Sequence, residues 1–149
     1  MVIRHLYLLL ALCAGLLPLA VEASGPSTHV SQVWIRQAPP GVDVMAGYFT
    51  LENLTAKPLQ LTSVTSPDFG SVMIHESVQQ GTHENMVEVT NLSIPAHGRI
   101  EFKPGGYHLM LVHPNKYLYA GDMVSLILSF SDGSQLAILA YVRRDPPTG

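Results

Sequence analysis

From Val30 onward, short apolar runs alternate with Pro, Gly, Asn and Asp, and no stretch carries the 3.6-residue repeat of an amphipathic helix. The runs predict strands at Val30–Gln37, Ala46–Asn53, Leu59–Thr65, Val72–Val78, Met86–Leu92, Arg99–Phe102, Tyr107–Val112, Met123–Phe130 and Gln135–Val142. Alternation is cleanest in Met123–Phe130, where Val124, Leu126, Leu128 and Phe130 share one face and Met123, Ser125, Ile127 and Ser129 the other, as a half-buried strand requires. The neighbouring Asp132-Gly133 predicts a two-residue hairpin turn that pairs the last two strands. The pattern therefore predicts an all-β fold, a β-sandwich of about eight to nine strands. No internal repeat is visible, and Asp145-Pro-Pro-Thr-Gly reads as a frayed end.

The N-terminal segment follows another logic. An apolar run, Leu6 to Val21, follows Arg4-His5 and leads into Val21-Glu22-Ala23-Ser24, the order of a secretory signal. Interrupted by Pro18, it is shorter than the roughly 20 apolar residues that span a bilayer as a helix. Residues 1–23 are thus expected to be cleaved after Ala23, leaving one secreted domain, residues 24–149, with no permanent membrane span. Cys13 follows the bulky Leu12 where a lipoprotein signal has a small residue, so lipid attachment is not expected.

Composition narrows the chemistry. With 47% hydrophobic and 13% charged side chains in 149 residues, the chain has material for one hydrophobic core. A net charge of −3 and no basic cluster beyond Arg143-Arg144 argue against nucleic acid. Cys13 is the only cysteine, so the mature region has none. That excludes disulfides, thiol catalysis, cysteine zinc sites and the thiolate-dependent blue-copper centre.

The informative constellation is His75, Met86, His108 and Met110. His108 and Met110 are two apart on one strand and share a face, with backbones roughly 6.6 Å apart. His75 and Met86 flank a segment centred on Gln80-Gly81; a hairpin tip there sets them directly opposite one another. Two imidazoles and two thioethers form an uncharged, soft to borderline donor set, suited to Cu(I) and poor for calcium or magnesium. Four protein ligands leave no open position for a substrate, which favours carrying the metal over catalysis.

Each residue also has an ordinary use. Methionine commonly fills sheet cores, and single histidines are commonly solvated or hydrogen-bonded; it is the joint spacing that favours ligation. By parity His83 faces away from Met86 and His113 away from His108, while His29 and His97 read as non-ligands. Met73 shares a face with His75 but reads first as packing, as do Met45 and Met123. Trp34 and Tyr107 read as core aromatics before site-shielding ones, and Pro104-Gly105-Gly106 as a turn that aims His108.

The spacing of His75, Met86, His108 and Met110 matches the H-x10-M-x21-H-x-M signature of the periplasmic copper chaperone family PCuAC, which the chain resembles over roughly Val33 to Val142. Trp34-Ile-Arg-Gln-Ala-Pro-Pro-Gly, Ala46-Gly-Tyr-Phe-Thr-Leu-Glu-Asn, Ile74-His-Glu, Ile94-Pro-Ala-His-Gly and Lys103-Pro-Gly-Gly-Tyr-His-Leu-Met-Leu look like segments of that family. The resemblance implies a cupredoxin-like β-sandwich that holds one Cu(I) through those four residues. It further implies delivery to a copper-accepting protein, a cytochrome c oxidase subunit or assembly factor. Some relatives carry a His- and Met-rich tail that this chain lacks, so a second Cu(II) site is not expected. Two other readings stay open: a secreted copper store or scavenger, and a metal-free β-sandwich that binds a protein partner. No acid/base dyad points to an enzyme.

Overall fold

A computed structural model describes residues 27–148, so the signal, its cleavage point and Cys13 lie outside the described residues. Ten strands follow one another: β1 Thr28–Arg36, β2 Val44–Asn53, β3 Leu59–Thr65, β4 Phe69–Gln80, β5 His83–Glu88, β6 Leu92–Ile94, β7 Arg99–Phe102, β8 Tyr107–Pro114, β9 Met123–Phe130 and β10 Gln135–Arg143. There is no helix among the described residues.

The strands form one hydrogen-bonded sheet in the order β5-β4-β8-β7-β2-β1-β10-β9-β3-β6. One apolar cluster joins Ile74 of β4, Leu109 and Leu111 of β8, Ile35 of β1, Leu126 and Leu128 of β9, and Leu61 of β3. β8 pairs directly with β2, so in a flat sheet six spacings of about 4.8 Å would hold β4 and β3 some 29 Å apart, and the sheet must roll over to enclose that core. The expected sandwich is therefore a continuous ten-stranded open sheet folded over its core, with β5 and β6 as its two edges. Val124, Leu126, Leu128 and Phe130 are all buried, as their alternation predicts.

Three local expectations are corrected. The β9–β10 connection is not a two-residue turn: Phe130 and Ser134 close a three-residue loop in which only Gly133 takes a positive φ, 83°, the bulged hairpin geometry. The stretch expected as one strand, Met86–Leu92, splits into β5 and β6, because Asn91 adopts φ 56° and sends the chain across to pair with β3. The end is not simply frayed, since Pro146 and Pro147 line a cleft with Trp34 and Lys103.

Two features fix the part of the sheet that matters below. Gly47 of β2 lies where a side chain would meet Leu111 Cδ1 at 3.1 Å and Leu109 Cβ at 3.3 Å, so its bare Cα lets β2 and β8 approach. Asn53, 1% exposed, donates from Nδ2 to the carbonyls of Lys57 and Pro95 and accepts at Oδ1 from the Thr55 N–H and hydroxyl. These bonds tie the end of β2 to the segment after β6 and satisfy an otherwise costly buried amide.

Candidate metal centre

β4 lies between β5 and β8. Ile74 of β4 and Leu109 and Leu111 of β8 are buried in the core, so by alternation Met73, His75, His108 and Met110 project from the opposite face. The β4–β8 register places His75 directly opposite His108 and Met73 directly opposite Met110. Opposed residues have β-carbons about 4.5–5.5 Å apart. Two imidazoles and two thioethers thus occupy a compact block on neighbouring strands.

Met86 lies on the same face but not where the hairpin symmetry predicts. Gln80 pairs with His83, which sets Ser77 opposite Met86 and Glu88 opposite His75. The register is displaced because Gly81, with φ 63°, occupies the first position of a two-residue loop, the position that type II′ geometry reserves for glycine. Met86 is consequently diagonal to His75, and it is 64% exposed on an edge strand whose residues are all exposed.

His108 is the most enclosed of the four, 7% exposed. Its orientation comes from the preceding turn. The Gly106 N–H donates to the Lys103 carbonyl at 3.0 Å, and Gly105 between them has φ 77°. Proline then glycine at the two central positions is the signature of a type II turn. The turn presents the Gly106 carbonyl to the Ser77 N–H at 3.2 Å and to His108 Nδ1 at 3.0 Å. A carbonyl only accepts, so Nδ1 carries the hydrogen and Nε2 keeps its lone pair, the arrangement that prepares an imidazole for a metal.

His75 is the complement. Its Nδ1 is buried without a hydrogen-bond partner among the described residues, and an unsatisfied buried polar atom costs about 1–3 kcal/mol. The two rings stand nearly perpendicular, 78°, with centroids 5.8 Å apart. With metal–nitrogen bonds of about 2.0 Å, two imidazoles sharing one ion hold their centroids within roughly 6 Å, so the spacing admits a common ion. Among the described residues no three His, Cys, Asp or Glu side chains converge on a metal position. Any ion held here would depend on thioether sulfur, which selects soft Cu(I) over hard or carboxylate-seeking cations.

Burial first, and then the adjacent His108, holds the His75 imidazole below its ordinary value, while Glu88 opposes them. The unfolded chain takes up this proton near pH 6.5, and the folded chain only at lower pH. The unfolded state therefore binds more protons in that window, and stability falls as pH drops from about 6.5 through the folded value. We expect the urea midpoint of the apo protein to decrease between pH 7 and 5, and to decrease less steeply in His75→Gln. Parallel profiles would contradict the assignment.

The remaining candidates lie apart. His83 is exposed beside the Thr82 hydroxyl, and His29 is exposed on β1. His97 takes φ 52° in a turn. His113 has φ 55°, which breaks the alternation of β8 and turns its ring to Asp43 Oδ2 at 2.9 Å. Met45 is core, whereas Met123, expected to pack, is 52% exposed. Trp34 packs against Tyr48 with the rings tilted by 35° and centroids 4.7 Å apart, beneath Arg36, with β2 between its strand and β8. Tyr107 packs against the core and faces Glu76 across the strands; burial and then that carboxylate push its phenol up.

Known proteins agree with this architecture. A family model described as "Putative lipoprotein LpqE-like" matches residues 28–142. The protein RP573 of Rickettsia prowazekii, named as uncharacterized, is 32% identical over 128 residues, covering 81% of this chain and 69% of that protein. The "Putative lipoprotein Lxx21020" of Leifsonia xyli subsp. xyli is 31% identical over 135 residues, 88% of this chain and 80% of that one. Among solved structures, the copper-bound PCuAC domain from PmoF2 superposes with a TM-score of 0.70 at 24% identity, over 82% of this chain and 97% of that domain. The solution structure of Cu(I)-DR1885 from Deinococcus radiodurans gives a TM-score of 0.67 at 28% identity, over 85% and 84% of the two chains.

Proposed function

Because the chain belongs to the LpqE-like family and has the cupredoxin-like fold of the PCuAC domains, we propose that it is an extracytoplasmic copper chaperone. It binds one Cu(I) through His75, Met86, His108 and Met110 and delivers it to the copper centre of cytochrome c oxidase. The observation that carries the reading is the opposed His75–His108 pair flanked by thioethers on an outward face. A permanent structural metal is better served by a closed site, and a catalytic one by a position left open for substrate. Here exposed Met86 leaves one side of the ion open to a competing ligand. An acceptor thiolate or imidazole displaces the methionines one at a time, and the neutral thioethers leave without needing a proton.

A periplasmic location with a cleaved signal fits the thioether set, since methionine stays a competent ligand where thiols are oxidised. The name of the Leifsonia relative also points outside the cytoplasm. Mixing the Cu(I)-loaded protein with the apo copper-binding domain of an oxidase subunit separates delivery from storage. We expect the metal to move to the acceptor within minutes and to appear in its visible spectrum after oxidation. Retention by the donor at equal protein concentrations would favour the copper store.

A further inference from the structure

Resting on that reading, we propose that Met73 is a copper ligand, a fifth donor that exchanges with Met86 on the same ion. The argument starts from register. Met73 stands directly opposite Met110, and His75 directly opposite His108; those four side chains span only two strands and two residues along each. Met86, opposite Ser77, is two strand spacings and four residues from Met110. On an untwisted sheet that is roughly 16 Å between backbones, against about 5 Å for the opposed Met73–Met110 pair. By register the thioether nearer to Met110 is therefore that of Met73.

Packing leaves Met73 without another task. It is only partly buried, and it belongs neither to the apolar cluster beneath the sheet nor to the side chains packed against that cluster. Its chain neighbours Val72 and Ile74 supply the core contacts instead. Ala46 lies beside Met110 on the β2 side, so no large residue fills that flank. Three thioethers for two sulfur positions give the ion a way to stay four-coordinate while one methionine is withdrawn. Met86, on the exposed edge strand, is the donor an incoming protein reaches first. Met73 then holds the ion on β4 and β8 as Met86 yields its place.

The test compares Met73→Leu, Met86→Leu and the double variant, since leucine conserves volume without a donor sulfur. Each is loaded anaerobically with one equivalent of Cu(I) and read by X-ray absorption and by methyl-methionine NMR. We expect Met86→Leu to keep two sulfur neighbours, to lose less than tenfold in affinity, and to show the Met73 methyl shifting with copper. The double variant is expected to fall to one sulfur and to bind at least tenfold more weakly than Met86→Leu. A single sulfur and an unmoved Met73 methyl in Met86→Leu would overturn the proposal. Failure of the wild-type chain to bind Cu(I) through histidine would instead overturn the function on which it rests. Equal thermal midpoints in the three variants verify that the fold is intact.

Discussion

Replacing His108 with alanine is expected to lower Cu(I) affinity by more than about 100-fold, beyond the 10- to 100-fold typical of losing a group that merely supports a ligand. His108 is nearly enclosed and its tautomer is set by the Gly106 carbonyl, so its Nε2 lone pair is available without reorganisation. His75 alone leaves one imidazole and soft, weakly basic sulfur. The change also frees the Gly106 carbonyl, but that atom keeps the Ser77 N–H, so the turn survives and the apo protein loses little stability. Competition against a chromophoric Cu(I) chelator measures the effect. Affinity within a few-fold of wild type would place the metal elsewhere, whereas no measurable binding by either protein would return the chain to the metal-free interaction module.

Leu109→Ala is expected to have the largest effect on stability. Leu109 is wholly buried between His108 and Met110, paired with Ile74 of β4 on one side and Gly47 of β2 on the other. Truncating a buried leucine costs about 2–5 kcal/mol, a large share of the 5–15 kcal/mol that holds a typical domain folded. β4 and β8 are held in register by the same packing, so the side chains on the opposite face lose their mutual positions as the core loosens. Urea unfolding of the apo variant should show the loss, and saturating Cu(I) should restore part of it, because a ligand that binds only the folded state raises the midpoint. A loss below about 1 kcal/mol would mean that the β4–β8 face is not built on this core.

Legibility differed from residue to residue for physical reasons. The alternation of Val124 to Phe130 is a period-2 signal with one face fully buried, and nothing nonlocal is needed to read it. The His108-x-Met110 pair is equally local, since parity along one strand fixes a shared face. The opposition of His75 and His108 is different, because it requires knowing that β4 neighbours β8 across more than 30 intervening residues. That pairing joins two segments far apart in the chain, which no local pattern reports. The His75–Met86 register was missed by two residues because symmetry about Gln80-Gly81 ignored where glycine must sit in a two-residue loop. The Asn91 break was invisible for a related reason: asparagine tolerates the left-handed region without requiring it. Met73 was visible as a neighbour of His75, but its opposition to Met110 belongs to the same nonlocal pairing.

The most direct test of copper carriage by this face is anaerobic titration of the mature chain with Cu(I), read by X-ray absorption at the metal. One equivalent bound with two nitrogen and two sulfur neighbours is the predicted result. Binding through oxygen alone, or no saturable binding at one equivalent, would contradict it.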